Sequence, residues 1–293
     1  MLLLVLLAGI LWFITRPAKV RPDQLPPHVP DLQNGRTMFN AGGCPSCHAP
    51  NRQERNRLSG GAALKSPFGT FYAPNISPHA TDGIGSWSEA DFVTAMHEGT
   101  SPDGHHYYPA FPFTSYRRMR LTDVRDLFAY LKTLPAVEGR AKDHELPAFA
   151  RMRWTLGFWK LLFLHGDPVQ ADASQSEAWN RGAYLANGPA HCAECHSPRN
   201  VLGAIVSSQR FAGAPDPEGG GGWIANITQA GIGDYSEEDI ARVLESGELP
   251  NGDSVGGAMR AVVRNTAELS SEDRYAIATY IKSLPPIEGP KRK

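Results

Sequence analysis

Two five-residue runs constrain this chain more than anything else in it: Cys44-Pro45-Ser46-Cys47-His48 and Cys192-Ala193-Glu194-Cys195-His196. Two residues between the cysteines let both sulfurs reach neighbouring positions from one turn of chain, with the next imidazole held alongside. That is the attachment pattern of c-type haem, in which the thiols bond covalently to the porphyrin edge and the histidine ligates iron. A structural zinc site or a Cys-x-x-Cys redox pair uses the same cysteine spacing. A redox pair does not require histidine at both flanks, however, and a zinc site would have to draw further ligands from distant sequence. The runs use all four cysteines, leaving none for a disulfide. The expectation is two covalently bound haem c groups, attached through Cys44, Cys47, Cys192 and Cys195, with His48 and His196 on iron.

The rest of the chain repeats around these runs. Cys192 follows Cys44 by 148 residues, and Gly231-Ile232-Gly233-Asp234-Tyr235-Ser236-Glu237 follows Gly83-Ile84-Gly85-Ser86-Trp87-Ser88-Glu89 by the same interval. Ile281-Lys282-Ser283-Leu284-Pro285 follows Leu131-Lys132-Thr133-Leu134-Pro135 by 150. The repetition predicts two haem domains from one duplication. In each, Ser88 or Ser236 caps a helix that stops at Gly99 or Gly247. A second helix starts near Thr122 or Ser271 and stops before Pro135 or Pro285. No strand is expected, so the fold class is mostly α, with each motif at the end of its copy's first helix.

At 293 residues the length suits about two domains. The formal charge of −1 speaks against nucleic acid as a partner. Residues 1–16 form an apolar anchor or signal helix, residues 17–30 a proline-rich tether, residues 31–140 the first domain, residues 141–175 a linker, and residues 176–293 the second. The apolar run spans only ~20 Å against a hydrocarbon core of ~30 Å, short for a crossing. It has neither a charged leading region nor a small-x-small cleavage site. Arg16, Lys19 and Arg21 would keep the body cytoplasmic by the positive-inside rule, whereas c-type attachment in bacteria occurs outside the inner membrane. The reading is a body on the periplasmic side of a bacterial inner membrane, held by this helix, with a soluble periplasmic product after cleavage as the alternative. The aromatic and basic run Arg151–Leu164 either packs across the two domains or lies on a membrane or partner.

Each iron needs a sixth ligand or an open face. Met259, after Gly256-Gly257-Ala258 and before the last helix, is the candidate in the second copy. The matching position in the first is Phe111, which cannot ligate. Met119 is the nearest substitute there, with His105, His106 or an open site as alternatives.

The run Gly104–Met119 ahead of Asp123-Val124-Arg125-Asp126-Leu127, and Arg181-Gly182-Ala183-Tyr184-Leu185 leading into Cys192, resemble the cytochrome c subunits of bacterial membrane-bound alcohol and aldehyde dehydrogenases. The resemblance extends over nearly the whole chain after Asp31. It implies class I-like cytochrome c domains, a dehydrogenase catalytic subunit as electron donor, and a respiratory-chain acceptor: a quinone, a soluble cytochrome or a terminal oxidase. It further implies that the carbonyls of Pro50 and Pro198 orient the ligating imidazoles. Members of that group carry Met at the position of Phe111 and often hold three motifs, where this chain has two. The alternative is a dihaem redox enzyme, of peroxidase or thiosulfate-oxidising type, with an open or unusually ligated first haem.

Overall fold

In a computed structural model that describes residues 1–217 and 222–291, the chain is mostly helical. Helix α1 (Leu2–Thr15) precedes an extended stretch, and α2 (Leu32–Ala41) opens the first repeat. Asp31 caps α2 by accepting from the amides of Gln33 and Asn34. The chain breaks at Gly42-Gly43 and re-enters helix as α3 (Cys44–His48). A hairpin follows, β1 (Ala63–Ser66) against β2 (Gly69–Tyr72), with Leu64 opposite Phe71. No strand was expected here. Leu64, Phe71 and Tyr72 fit a pleated surface, and Gly69, at φ 116°, supplies the turn conformation that other residues avoid.

Helix α4 (Glu89–Val93) starts at a capping box between Ser88 and Asp91 and runs into a π-helical turn, Thr94–Glu98, that ends at left-handed Gly99. Short α5 (Phe113–Tyr116) leads to α6 (Leu121–Lys132), and α7 (Thr155–Phe163) lies between the repeats. The second repeat holds α8 (Glu177–Asn187), α9 (Ala193–His196), the minimal pair β3 (Ala214–Pro215) and β4 (Trp223–Ile224), α10 (Gln229–Ile232), α11 (Glu237–Ser246), α12 (Met259–Thr266) and α13 (Ser271–Lys282). Ser236 and Asp239 repeat the capping box, and Gly247 repeats the left-handed stop. The expected caps and stops therefore stand in both copies.

The main packing is α2 on α6 and α8 on α13. Backbones approach closely in each pair: a methyl on Gly35 would meet the Asp126 carbonyl at 2.2 Å, and one on Gly182 the Ala276 carbonyl at 1.8 Å. One continuous core joins the repeats, with Phe39, Val93, Met119, Leu127 and Leu131 from the first and Tyr184, Leu185, Leu244, Leu269 and Ile281 from the second. Tyr184 carries its ring into the first repeat, where its hydroxyl donates to Asp123 and accepts from the Arg120 amide at 3.3 Å.

Among the described residues no helix is long and apolar enough to cross a membrane; α1 has 14 residues. Helix α7 crosses α1 where Gly157 touches the Thr15 backbone. It also bridges the repeats: Trp159 donates to the Leu202 carbonyl at 2.9 Å, while Lys160 donates to those of Glu98 and Gly99 at 2.6 and 2.7 Å.

Candidate functional site

Each Cys-x-x-Cys-His run begins at a left-handed residue, Gly43 at φ 59° and His191 at φ 40°. That conformation turns the chain out of α2 or α8 and into the attachment helix. Glycine adopts it freely, whereas histidine is held there: His191 Nε2 donates to the Gly42 carbonyl at 3.2 Å, and its ring packs edge-on against Tyr116 at 5.7 Å.

The first histidine donates from Nδ1 to the Pro74 carbonyl at 2.7 Å, and His196 donates from Nδ1 to the Ala225 carbonyl at 2.8 Å. A carbonyl on Nδ1 fixes the tautomer, leaves Nε2 with its lone pair, and sets the ring plane. The expected acceptors, Pro50 and Pro198, are thus corrected. Two residues past the histidine the chain is still leaving the attachment helix, and the carbonyl comes from a loop 26 or 29 residues on. Those loops are themselves tied down. Asn75 Nδ2 donates to the carbonyls of Val137 and Gly139 at 2.7 and 2.8 Å, and Asn226 Nδ2 to that of Ile287 at 2.8 Å. Each asparagine oxygen accepts the amide two residues on, Ser77 or Thr228. Asn-Ile-Ser and Asn-Ile-Thr recur immediately after Pro74 and Ala225, a repetition legible in the sequence.

No disulfide pairs any of the four cysteines. Burial pushes Cys44 and Cys192 up to about 12, and burial lowers both His48 and His196. Yet both thiols and both imidazoles remain partly accessible. Two neutral thiols and a tautomer-locked imidazole in each repeat are the donor set that c-type haem requires.

Each attachment helix is bonded to the other repeat across the seam between them. Ser46, inside the first run, accepts from Asn265 Nδ2 at 2.6 Å. Glu194, its counterpart 148 residues on, accepts from Ser115 Oγ at 2.7 Å and from Thr114 Oγ1 at 2.8 Å. After burial, it is Cys195 that raises the Cys47 thiol further. Tyr116 sits between the runs, held far above its ordinary pKa by burial and then by Cys44, Cys47 and Glu194. Ser46, Thr114, Ser115, Tyr116, Glu194 and Asn265 carry no assigned role in the sequence reading, because their roles depend on which surfaces meet.

The sixth-ligand candidates are distributed differently. Met259 opens α12 and is partly accessible beside the core. Met119 is 1% exposed within the shared core, close to Gly188, and occupies the place taken 150 residues on by Leu269. His105 is exposed, its Nδ1 3.9 Å from Asp103. His106 donates from Nε2 to the Thr15 carbonyl at 3.0 Å, and burial lowers it to about 4. Phe111 packs among Tyr107, Phe113 and Tyr116.

Residues 32–135 match the cytochrome c family model. The chain is 48% identical to a dihaem c-type cytochrome of Cereibacter sphaeroides, with 98% of this chain and 97% of that protein covered. It is 35% identical to the fructose dehydrogenase cytochrome subunit of Gluconobacter japonicus, covering 92% of this chain and 56% of that subunit. It is equally similar to the cytochrome c subunit of the alcohol dehydrogenase (quinone) of Gluconacetobacter polyoxogenes, at 35% over 87% and 56%. The chain therefore spans about half the length of those two subunits. With the donor sets above, this similarity establishes that the chain belongs to the dihaem c-type cytochromes and carries two covalently bound haem c groups.

Proposed function

We propose that this protein is an electron-transfer module passing electrons from a dehydrogenase catalytic subunit to a respiratory-chain acceptor: a quinone, a soluble cytochrome or a terminal oxidase. The haems supply reversible one-electron exchange at iron. Cys44 and Cys47 hold one and Cys192 and Cys195 the other, with His48 and His196 as axial ligands and Met259 as the sixth ligand of the second. Residues 31–140 and 176–293 act as two tandem class I-like cytochrome units, with 141–175 between them. The observation that carries the reading is the seam, where each attachment helix is tied to the other repeat, through Ser46–Asn265 and Glu194–Ser115. Similarity to a fructose dehydrogenase cytochrome subunit favours the dehydrogenase partner.

The protein is further proposed to work on the periplasmic face of a bacterial inner membrane, or as a soluble periplasmic protein if α1 is removed. The exposed apolar side chains of α1, Leu3, Leu6, Trp12 and Phe13 among them, adjoin exposed Trp154, Leu161 and Leu162 around α7. At ~21 Å, α1 is too short to span alone but long enough to lie in the interface.

A second reading is favoured by one observation. Met119 was the sequence candidate for the sixth ligand of the first haem, but its burial and its match to Leu269 suit a packing role. The first haem would then have Phe111 on its distal side and an open iron, as an enzyme requires.

Expression with cytochrome-maturation machinery tests the main reading. The expected product has the mass of two added haems, reduced by one in the Cys192→Ser/Cys195→Ser variant, and co-purifies from native membranes with a dehydrogenase subunit. A colourless product overturns it. Carbon monoxide binding to the ferrous protein, together with peroxide or thiosulfate turnover, would support the enzyme instead.

A further inference from the structure

The formal charge of −1 conceals a concentrated positive surface. Beside the first attachment helix, Pro45, Ser46 and Ala49 form one wall of a cleft, and Arg52, Arg55 and Arg264 line it with them. Arg260 stands one turn from Arg264 on α12, so the cleft straddles the seam between repeats. Four guanidinium groups are gathered here without a carboxylate among them. Arg55 donates to the Arg264 carbonyl at 2.6 Å and the Asn40 amide oxygen at 2.9 Å, and Arg264 donates to the Arg260 carbonyl at 3.0 Å. Those acceptors are neutral. The nearby acids are engaged elsewhere, Glu54 with Arg57 at 2.8 Å and Glu268 with Arg36 at 3.5 Å. Among the described residues no ion pair involves Arg52, Arg55, Arg260 or Arg264. After burial, the other three arginines depress even the Arg264 guanidinium, as mutual repulsion requires.

The patch is one-sided. At the matching places around the second motif stand Asn200 and Gly203 for Arg52 and Arg55, and Pro112 and Tyr116 for Arg260 and Arg264. Arg199 beside that motif is instead paired with Glu194 at 2.6 Å, and apolar Val201 there is 92% exposed. Packing does not account for clustered like charge that destabilises the folded chain. An anionic surface laid over the cleft would neutralise it, and would come to rest against Pro45 and Ser46, between the two thiols that hold the first haem.

We propose that this arginine cleft is the docking port for an acidic redox protein, and that electrons are exchanged with that partner through the first haem edge at Cys44 and Cys47. The proposal rests on the electron-transfer reading above. Complementary charge would raise the encounter rate and make it fall with salt.

The test is stopped-flow reduction of the oxidised dihaem protein by two small reductants of opposite charge, anionic iron(II)–EDTA and cationic hexaammineruthenium(II). Reduction by iron(II)–EDTA should slow as salt is added. The Arg52→Glu/Arg260→Glu/Arg264→Glu variant should react roughly tenfold or more slowly with it at low salt, and faster with the ruthenium complex. A control of equal charge change outside the cleft, Lys65→Glu/Arg140→Glu/Arg242→Glu, should leave most of the anionic rate. Equal losses in both variants, or a rate independent of salt, would overturn the proposal. So would loss of binding to phosphatidylglycerol vesicles with unchanged iron(II)–EDTA kinetics, which assigns the patch to a membrane. A protein without haem absorbance would instead defeat the underlying electron-transfer reading.

Discussion

Asn265 donates to the Ser46 hydroxyl at 2.6 Å, joining the helix before the last one of the second repeat to the haem-attachment run of the first. The reciprocal contact, Ser115 to Glu194 at 2.7 Å, closes the seam from the other side. The two repeats thus grip each other at the segments that carry the cofactors.

The two contacts differ in strength. Glu194 is a buried carboxylate with donors from Thr114, Ser115 and Arg199, the last at 2.6 Å. Removing it leaves those donors unpaired, so Glu194→Ala should cost roughly 2–4 kcal/mol, against about 1 kcal/mol for Ser46→Ala. Urea unfolding of the holoprotein measures both. Costs that are equal, or that add fully between Glu194→Ala and Ser115→Ala, would mean the network is not shared.

Gly35 and Gly182 permit the helix pairs α2/α6 and α8/α13 to touch backbone to backbone. A methyl group at either place meets a carbonyl oxygen, which cannot rotate aside. Gly182→Ala is expected to cost about 3 kcal/mol or more, or to prevent folding. The same substitution at Gly256, whose added methyl meets nothing, should change stability by less than about 1 kcal/mol. Thermal melts of the two variants provide the comparison.

The carbonyls that hold the axial imidazoles are secured by Asn75 and Asn226. Asn75→Ala removes three hydrogen bonds, to the carbonyls of Val137 and Gly139 and from the Ser77 amide, and should destabilise by roughly 2–3 kcal/mol. It should also shift the midpoint potential of one haem while leaving the other in place, because a loosened Pro74 carbonyl changes the basicity of His48 alone. A titration in which both haems move together would count against this local linkage.

Lys160 supplies a pH dependence. Burial lowers its pKa to about 7, although two carbonyls accept from it. The unfolded chain holds that proton up to ~10.4. Between the two values the folded state binds fewer protons, so this residue's contribution rises with pH from about 7 towards ~10 and is least favourable below 7. The difference in melting temperature between the wild type and Lys160→Met should therefore change across that window, in favour of the wild type as pH increases. A difference that is flat, or opposite in sign, would be inconsistent with a buried, uncharged amine.

Legibility followed the range of each interaction. Haem attachment, the duplication, the capping boxes at Ser88 and Ser236 and the glycine stops are set by residues a few positions apart, so they could be read directly from the chain. The hairpin at Ala63–Tyr72 was missed because its alternation is short and its signal depends on Gly69 adopting a positive φ. The imidazole partners were sought at Pro50 and Pro198, but a carbonyl has no side-chain signature, and Pro74 and Ala225 arrive there only by loop closure.

Sequence by itself determined what this protein binds and how many times, because covalent attachment requires particular atoms at a fixed local spacing. Only tertiary structure decided how the two copies face each other. Ser46, Ser115, Glu194, Asn265 and the four cleft arginines are ordinary polar residues until two surfaces meet. Burial and long-range contact depend on the whole chain at once, which is why no window of the sequence contained them.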